Sequence, residues 1–338
     1  MKKISCGIIG IGGIGSQHGE WLEKTGSMKV GALCDVNPAM KDKALEKFPD
    51  APFYSDVALM LKERPLDLVI IASPHYLHAP LAIQCLEAGV NVMVEKPMAT
   101  TYADCLKMIA AARKAGKFLT VFHNRRLDPW FQKIHAAVVA GTLGPLIELQ
   151  TNWNNQPSWK GKGGWRQRRV DSGGLLFDWG AHLVDHLLHF EPSKIVSVSG
   201  FFYQDPKADA TLNHDHGFVE IRFASGALGR MTLSGLSRLG EPRYVLIGEK
   251  ATLRDGWNWS GGHADIYATD KVDEKSGTVE YGGEGTAHTR FYENLAGHFQ
   301  QQTPLLVTPQ SAARVIQVLE LAFLSHTRGG APLPIADL

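Results

Sequence analysis

The chain has 338 residues, a length that suits about two domains and a large buried core. Lys and Arg number 35 and Asp and Glu 34, a formal net charge of +1, which excludes the basic surface expected of a protein that binds nucleic acid or an anionic membrane. Hydrophobic residues make up 44% and charged residues 20%, which indicates a globular chain rather than a disordered one.

The four cysteines all lie in the first third of the chain, and none belongs to a Cys-x-x-Cys pair. This pattern predicts neither a disulfide framework nor a zinc site, and it favours a reducing, cytoplasmic compartment. The apolar stretch Ile4–Gly15 contains five glycines, so we interpret it as a buried strand and a glycine turn rather than a signal peptide. Apolar runs such as Leu68–Ala72 are too short to span a bilayer.

The first third of the chain alternates short apolar runs with helical patterns. Six strands are predicted, at Ile4–Ile9, Met28–Cys34, Phe53–Tyr54, Leu66–Ala72, Val90–Val94 and Phe118–Phe122. Helices are predicted between them, among others at Pro38–Phe48, His78–Ala88 and Thr101–Ala115. Strands separated by helices of this length predict an α/β Rossmann fold, a doubly wound parallel sheet, over residues 1–123.

From about Gly144 the pattern changes to strands that mostly lack intervening helices. These are Leu146–Trp153, Lys194–Tyr203, Phe218–Phe223, Ala227–Ser234, Tyr244–Ile247 and Ala251–Arg254. A large, mostly antiparallel open sheet is therefore expected in an α+β domain over residues 124–338. One helix is predicted at about Leu175–Phe190, and a C-terminal helix at Thr308–Thr327 with Thr308 as its N-cap.

A glycine motif, Gly10-x-Gly12-x-x-Gly15, follows the first strand and opens a helix. Its glycines allow a tight turn and let the backbone approach a pyrophosphate at the helix N-terminus. Asp35 ends the second strand, where a carboxylate accepts hydrogen bonds from ribose hydroxyls and repels a 2′-phosphate. The motif predicts NAD, favoured over NADP, bound by Gly10, Ile11, Gly12, Gly13, Ile14 and Asp35.

Two further polar segments follow strands of the predicted parallel sheet, at the edge where such sheets bind ligands. They are Ser73-Pro74-His75-Tyr76-Leu77-His78 and Glu95-Lys96-Pro97. The residues expected near the cofactor are Ser73, Pro74, His75, His78, Glu95 and Lys96. A lysine in this place can hydrogen-bond a substrate hydroxyl. The alternative for Lys96 is a surface ion pair before a turn.

Asp178 and His182 are four residues apart in the predicted helix at 175–190 and so share one face. A carboxylate in this position can orient an imidazole and keep its pKa near neutrality for proton transfer. A core or surface role is the alternative for a single helical histidine. His186 and His189 follow, but the chain has no HExxH-type spacing, so no metal site is predicted.

In order and spacing, these motifs resemble those of the glucose–fructose oxidoreductase / inositol dehydrogenase / rhizopine-catabolism (Gfo/Idh/MocA) family over nearly the whole chain. The resemblance rests on the glycine turn, Ser73-Pro74-x-x-x-His78, Glu95-Lys96-Pro97 and the Gly-Gly-x-x-x-Asp-x-Gly-x-His-x-x-Asp segment that begins at Gly173. The segment His123-Asn124-Arg125-Arg126 is similar to the sugar and scyllo-inositol dehydrogenase branch. His75 departs from the Asn of many relatives, and Trp179 is bulkier than their usual aliphatic residue.

The resemblance implies an oxidoreductase that moves a hydride between NAD and a secondary hydroxyl or carbonyl of a sugar or cyclitol. It implies that His182 is the general acid/base, that Asp178 orients it and that Lys96 hydrogen-bonds the reacting oxygen. Alternatives are a sugar enzyme that retains its NAD through oxidation and elimination or transfer, and a non-catalytic nucleotide-sensing regulator. The presence of all three candidate catalytic residues argues against a regulator. A homodimer or homotetramer is expected by the same analogy.

Six of the eight tryptophans lie between residues 153 and 259. Sugars and cyclitols present flat C–H faces that pack on aromatic rings, although core packing is an equally good explanation for any one tryptophan. Trp165 and Arg166 precede the predicted catalytic helix by a short loop. The residues expected to contact the substrate are Asn124, Arg125, Trp165, Arg166, Asp178 and His182.

Overall fold

The computed structural model describes residues 2–154, 164–174, 176–256, 262–268, 270–282 and 287–336. Its internal contacts divide the chain into two units. The first unit comprises Met1–Asn124 and His288–Ala313, and the second comprises Arg125–Ala287 and Arg314–Leu338. Among the described helices, none is both long and apolar enough to cross a membrane.

The first unit contains a six-stranded parallel sheet with strand order β3-β2-β1-β4-β5-β6. The strands are β1 (Ile4–Ile9), β2 (Met28–Cys34), β3 (Phe53–Tyr54), β4 (Leu68–Ile71), β5 (Asn91–Val94) and β6 (Leu119–Val121). The helices between them are α1 (Gly13–Lys24), α2 (Met40–Lys47), α3 (Val57–Glu63), α4 (His78–Glu87) and α5 (Tyr102–Ala115). The strand order reverses between β1 and β4, the place where doubly wound sheets bind nucleotides.

Local sequence signals fix the ends of several helices in this unit. Thr101 accepts a hydrogen bond from the Asp104 amide at 3.1 Å and caps α5, which ends at Gly116 with a left-handed φ of +63°. Asp56 caps α3 in the same way through the Leu59 amide. Every residue of β4 is buried because helices cover both faces of the sheet, and this explains its uninterrupted apolar sequence.

The second unit contains a nine-stranded sheet with strand order β14-β13-β12-β11-β7-β10-β9-β8-β15. Its strands are β7 (Leu146–Asn154), β8 (Ile195–Tyr203), β9 (His216–Phe223), β10 (Leu228–Ser234), β11 (Tyr244–Gly248), β12 (Thr252–Asp255), β13 (Gly262–Tyr267), β14 (Gly277–Tyr281) and β15 (Leu333–Pro334). Only β7 and β10 pair in parallel; the other neighbours are antiparallel. The two sheets confirm the predicted fold class.

The helices of the second half of the chain differ in part from the sequence expectation. They are α6 (Pro129–Val139), α7 (Arg169–Ser172), α8 (Ala181–Phe190), α9 (Ala287–Gln301) and α10 (Pro309–Thr327). Thr308 caps α10 through the Ser311 amide, as expected. The helix predicted at 175–190 is instead a π-helical turn, Leu176–Gly180, followed by α8. Neither α6 nor α9 was expected from the sequence pattern.

Residues 288–313 belong to the first unit, although the sequence expectation assigned all of 124–338 to one domain. Side chains and backbone of this segment pack there: the Thr120 hydroxyl of β6 donates to the Val307 carbonyl at 2.8 Å. Phe291 and Tyr292 of α9 are buried against Phe122. The first unit is therefore completed by a segment that is distant in the sequence.

Candidate active site

The turn between β1 and α1 lets the backbone approach a ligand closely. Gly10 has a φ of +89°, and a Cβ there would lie 2.8 Å from the Ala72 carbonyl. A Cβ at Gly15 would lie 1.9 Å from the Gly10 oxygen, so α1 can pack on the turn only with glycine there. Gly12 and Gly13 face open space, and no described side chain caps α1. This uncapped helix N-terminus fits the pyrophosphate of a dinucleotide.

Asp35 follows β2 and lies against the same turn. Its Oδ2 accepts a hydrogen bond from the Ile11 amide at 2.7 Å, and its Oδ1 accepts one from the Asn37 amide at 2.8 Å. These two bonds hold the carboxylate in one orientation. Each carboxylate oxygen can accept another hydrogen bond, so Asp35 fits the ribose hydroxyls of a dinucleotide. Ile14 lies in the first turn of α1 and is half-buried.

The segment after β4 forms a short 3₁₀ turn at His75–Leu77 and leads into α4. His78 is fully buried, with Nδ1 2.8 Å from the Pro97 carbonyl and Nε2 3.0 Å from the Ser73 carbonyl. Burial lowers the pKa of His78, although both carbonyl acceptors favour its charged form. The His78 ring thus ties the segment after β4 to the segment after β5, while Ser73 and Pro74 remain half-buried at the sheet edge.

Glu95 and Lys96 follow β5 and differ in exposure. Glu95 is buried, and its Oε2 accepts a hydrogen bond from the Lys96 amide at 2.9 Å; Lys96 itself is half-buried. Burial alone would raise the pKa of Glu95, but the hydrogen bond from His18 and the charge of Lys96 outweigh it and lower that pKa. Glu95 is therefore a carboxylate that holds the backbone of Lys96.

Two residues of this environment were not expected from the sequence, His18 and Tyr292. His18 lies on α1 with Nε2 3.0 Å from Glu95 Oε1 and Nδ1 2.6 Å from the Tyr292 hydroxyl. All three side chains are buried. A buried carboxylate such as Glu95 needs a partner, and a histidine is a candidate for it. Tyr292, however, is almost 200 residues away from Glu95 in the sequence, and no local pattern connects these two residues.

The segment after β6 forms a 3₁₀ turn at Asn124–Leu127. Asn124 is buried at the end of the first unit's main segment. Arg125 belongs to the second unit, where its guanidinium donates to Asp128 at 3.1 Å. Arg126 is buried and binds Asp185 of α8 with two hydrogen bonds, at 2.8 and 2.6 Å. Arg126 therefore anchors α8 to the start of the second unit.

Asp178 lies in the π-helical turn, and His182 lies in the first turn of α8. Gly173 and Gly174 precede the turn with φ of +78° and +92°, values that favour glycine. His182 is buried, and Asp178 is half-buried. π turns inside helices are frequent at functional sites because they shift the register of the side chains that follow. Both candidate catalytic side chains of this segment thus lie at an irregular, glycine-bounded helix start.

An aromatic cluster adjoins His182 in the second unit. The rings of Trp153 and Trp179 stack with centroids 3.4 Å apart, and the centroid of Trp179 lies 5.6 Å from that of His182. The Arg125 guanidinium lies 5.6 Å from the centroid of Trp179. Arg125, Trp179 and His182 are therefore brought together, and Trp153, which the sequence reading treated only as one of several tryptophans, supports them from the sheet.

Trp165 and Arg166 lie in a short 3₁₀ turn at Gly164–Arg166. The Arg166 guanidinium lies 4.4 Å from the centroid of the Trp165 ring, and the Arg166 carbonyl accepts a hydrogen bond from Asn213 at 2.7 Å. Trp165 is half-buried and Arg166 is exposed. Three other tryptophans that the sequence suggested for a sugar site lie outside the described residues; they are Trp159, Trp257 and Trp259.

The expected site residues are divided between the two units. The first unit holds all expected cofactor contacts, which follow β1, β2, β4 or β5, together with Asn124. The second unit holds Arg125, Trp165, Arg166, Asp178 and His182. Within the part of the chain that the structure describes, no group of three His, Cys, Asp or Glu side chains is placed to hold a metal ion.

Two family models match most of the chain. Residues 4–123 match the oxidoreductase-family NAD-binding Rossmann fold model GFO_IDH_MocA, and residues 131–254 match the GFO/IDH/MocA C-terminal domain. The chain belongs to the GFO/IDH/MocA oxidoreductase family. This membership confirms the resemblance seen in the sequence and identifies the chain as an oxidoreductase with an NAD-binding Rossmann domain.

Relatives of this GFO/IDH/MocA oxidoreductase include two named inositol dehydrogenases. The scyllo-inositol 2-dehydrogenase (NADP(+)) of Bacillus subtilis is 25% identical over 96% of this chain and 94% of its own length. The myo-inositol 2-dehydrogenase of Thermotoga maritima is 30% identical over 73% of each chain. A solved NAD-binding protein from Listeria innocua, 25% identical, has a TM-score of 0.86 over 98% of this chain and 97% of that chain.

Proposed function

We propose that this protein is an NAD-dependent dehydrogenase that oxidises a secondary hydroxyl of a cyclitol or sugar to a ketone, or reduces the ketone. The observation that carries the proposal is the similarity to two inositol dehydrogenases, one of them across nearly the whole chain. In the oxidation, the carbinol carbon gives up a hydride and the hydroxyl gives up a proton. The nicotinamide, when bound, supplies the carbon that accepts the hydride.

The residues after β1, β2, β4 and β5 hold the dinucleotide in this proposal. The backbone of Gly10, Ile11, Gly12, Gly13 and Ile14 binds the pyrophosphate at the N-terminus of α1, which the uncapped helix end supports. Asp35 binds the ribose hydroxyls. Toward the nicotinamide, the contributing residues are Ser73, Pro74, His75, Glu95 and Lys96. His78 acts indirectly because its buried ring holds the Ser73 and Pro97 carbonyls.

Three side chains handle the reacting hydroxyl. His182 takes the hydroxyl proton during oxidation and returns it during reduction, a role that its position at the start of α8 supports. Asp178 orients the His182 ring. Lys96 donates a hydrogen bond to the reacting oxygen and stabilises the negative charge that develops there. Since the substrate is neutral, the remaining contacts are hydrogen bonds and ring packing rather than ion pairs.

We assign the substrate contacts to Asn124, Arg125, Trp165, Arg166, Asp178 and His182. The stack of Trp179 on Trp153 supports this assignment because a flat ring beside His182 offers a surface for the C–H face of a cyclitol or pyranose. The Arg125 side chain is partly exposed, its guanidinium lies beside that ring, and it can donate to substrate hydroxyls.

The cofactor is NAD rather than NADP in this proposal. Asp35 is held by two backbone amides beside the phosphate turn, and its carboxylate repels a 2′-phosphate. No Arg follows it to bind such a phosphate, since the next two residues are Val36 and Asn37. The Bacillus subtilis relative is named for NADP(+), so the preference has to be measured for this chain.

Replacement of His182 tests the proposed function. A His182→Asn variant removes the proton acceptor while keeping a small polar side chain, and we expect kcat for cyclitol oxidation to fall about 10²–10⁴-fold. The dissociation constant for NAD, measured by calorimetry, should change less than about twofold because His182 does not hold the dinucleotide. Activity is followed as NADH absorbance across inositols and aldoses. Wild-type turnover by His182→Asn would contradict the role of His182.

We further propose a homodimer or homotetramer in the cytoplasm. The outer face of the nine-stranded sheet supports the assembly, since Phe201 and Phe218 stack there with centroids 4.9 Å apart and Phe201 is 39% exposed. The four cysteines are buried free thiols, as a reducing compartment requires. Light scattering at micromolar concentration measures the oligomeric state, and a monomer at all concentrations would contradict the assembly.

A further inference from the structure

We propose that His18 and Tyr292 are positioning residues for Lys96, acting through Glu95. The three side chains form a buried hydrogen-bonded chain from α9 through α1 to the end of β5. The proposal rests on the proposed role of Lys96 in the reaction. It goes beyond that role because it assigns a function to two residues that do not themselves follow a strand of the parallel sheet.

The hydrogen bonds run without interruption from Tyr292 to the Lys96 amide. The Tyr292 hydroxyl lies 2.6 Å from His18 Nδ1, and His18 Nε2 lies 3.0 Å from Glu95 Oε1. The second carboxylate oxygen, Oε2, accepts the Lys96 amide at 2.9 Å. His18 and Tyr292 have no exposed surface, and Glu95 is 8% exposed. Both oxygens of the carboxylate are thus engaged on defined partners.

One arrangement of hydrogens gives every polar atom of these three side chains a hydrogen-bond partner. Glu95 is ionised, so both of its oxygens accept, and His18 must donate from Nε2. His18 Nδ1 then accepts from the Tyr292 hydroxyl, which gives that buried hydroxyl an acceptor. Removing the hydroxyl leaves Nδ1 without its donor, and the ring can then turn away from Glu95.

Aromatic packing holds the His18 ring in place. The centroid of Phe122 lies 4.6 Å from that of His18, and the centroid of Trp21 lies 5.2 Å away, both edge to face. Trp21 stacks in turn on His288 at 4.1 Å. The packing restricts the ring, and the hydrogen bond to Tyr292 determines which nitrogen points to Glu95.

Glu95 connects the hydrogen-bonded side chains directly to Lys96. Glu95 bonds the amide of Lys96 itself, so the rotamer of Glu95 limits the backbone conformation from which the lysine side chain extends. A hydrogen bond to a reacting oxygen depends steeply on placement, and shifts of about 1 Å reduce catalysis strongly. Loss of the Tyr292 hydroxyl should therefore lower kcat without removing any group that touches the substrate.

A double-mutant cycle between Tyr292→Phe and Glu95→Gln tests the proposal. We expect Tyr292→Phe to lower kcat about tenfold, with KM for the substrate changed less than about threefold, because a hydrogen bond next to a charged group is lost. In the Glu95→Gln background, Tyr292→Phe should have no further effect, since its action passes through that carboxylate. A tenfold loss in both backgrounds, or none in either, would overturn the proposal.

A second measurement does not depend on activity. Hydrogen exchange of the Lys96 amide should accelerate about tenfold in Tyr292→Phe and in Glu95→Gln, because its acceptor is no longer fixed. The matched control is Tyr244→Phe, which removes an equally buried Tyr–His hydrogen bond, of 2.7 Å to His186, in the second unit. The control should leave exchange at Lys96 unchanged. Unchanged exchange of the Lys96 amide in Tyr292→Phe would contradict the proposed positioning of Lys96.

The two hypotheses fail separately. A Lys96→Met variant with wild-type turnover would contradict the proposed function, whatever happens at Tyr292. If Lys96→Met has wild-type turnover and Tyr292→Phe nevertheless accelerates exchange of the Lys96 amide, the hydrogen-bonded side chains position Lys96. Lys96 then does not take part in the reaction. Slow turnover by Lys96→Met with unchanged exchange in Tyr292→Phe would contradict the positioning role alone.

Discussion

Polar side chains hold the candidate ligand-binding edge of the first unit in place. His78 lies within hydrogen-bond distance of two carbonyls, Glu95 accepts a hydrogen bond from the Lys96 amide, and Asp35 accepts hydrogen bonds from the amides of Ile11 and Asn37. Each of these bonds fixes a loop that follows a strand. A polar group buried without such a partner would destabilise the fold, so function and stability depend on the same contacts at this edge.

Asp35 offers the clearest prediction at this scale. An Asp35→Ser variant removes the negative charge, so NADP should bind better and NAD worse. Loss of a hydrogen bond to a charged group is worth about 1.5–3 kcal/mol, so we expect the ratio of kcat/KM for NAD over NADP to fall roughly 10- to 100-fold. Steady-state kinetics with both cofactors provides the measurement.

The matched control for this prediction is Asp35→Asn, which keeps an amide oxygen for Ile11 but lacks the charge. If charge determines the preference, the asparagine and serine variants behave alike. An unchanged ratio in both variants would mean that Asp35 does not face the 2′ position. If the ratio changes in Asp35→Ser alone, the cause is disorder of the turn and not the lost charge.

The sequence predicts candidate site residues more readily than it predicts their hydrogen-bond partners. The motif residues Gly10, Asp35, Lys96 and His182 could be found because each follows a recognisable strand or opens a helix. The partners could not, since Tyr292 reaches His18 from a segment about 270 residues further along the chain. Local patterns report which backbone positions face a ligand, but they carry no information about which distant side chain completes a buried hydrogen bond.

At the scale of elements, the start of α8 shows what periodicity misses. The pattern correctly placed helical structure around Asp178 and His182, but the segment Leu176–Gly180 is a π turn. Gly180 allows that turn to approach the sheet, because a Cβ there would lie 3.2 Å from Leu233. Tight packing of a turn on the sheet is a tertiary constraint, which a sequence period does not contain.

The missed helix α6 has a different explanation. Its start carries the expected signals, with Asp128 at the N-cap position and Pro129 at the first turn, but the segment lies where the domain boundary was expected. The strands β13 and β14 were missed because many of their residues are polar or half-exposed. A strand with few apolar residues gives only a weak alternation of apolar and polar residues in the sequence.

The anchoring of α8 gives a prediction about stability. Arg126 and Asp185 form a buried ion pair with two hydrogen bonds, so Arg126→Met removes a buried charge partner and both of these bonds from the Asp185 carboxylate. We expect the free energy of unfolding to fall by about 3–5 kcal/mol, measured by urea denaturation.

The matched control for the ion pair is the double variant Arg126→Met, Asp185→Leu, which removes both charges. Most of the lost stability should return, because hydrophobic replacements of a buried ion pair are often neutral or stabilising. If the double variant is as unstable as Arg126→Met, the loss comes from packing of the Arg126 stem and not from the loss of the guanidinium beside Asp185.

At the scale of the whole molecule, each unit is completed by chain from both sides of the sequence. Residues 288–313 return to the first unit, and the last part of α10 belongs to the second. Strand and helix patterns predicted both sheets because each sheet is built mainly from consecutive elements. They did not predict the return of α9, because a helix pattern identifies an apolar face and not the surface that covers it.

Half-buried histidines make the stability of the molecule depend on pH. Burial, together with the charges of Arg169 and His326, lowers the pKa of His214 to about 4 from 6.5. Burial also lowers the pKa of His135 and of His326. Between about pH 6.5 and 4 the unfolded chain binds protons that the folded chain does not, so the free energy of unfolding falls as the pH falls through this range.

The variant His214→Gln should make this dependence shallower. We expect the drop in Tm between pH 7 and pH 5 to be smaller in His214→Gln than in the wild type, because the variant lacks one of the contributing groups. His216→Gln, two residues further along the chain, is the matched control. Thermal denaturation at both pH values measures the effect. An identical drop in all three proteins would mean that His214 does not contribute.

If this GFO/IDH/MocA protein is the NAD-dependent cyclitol or sugar dehydrogenase that we propose, it turns over repeatedly and its reduced cofactor must leave. The most direct test is to mix purified protein with excess NAD and a panel of inositols and aldoses, and to follow NADH absorbance. We expect NADH well beyond one equivalent per chain with at least one cyclitol or sugar. No NADH, or at most one equivalent that stays bound to the protein, would contradict it.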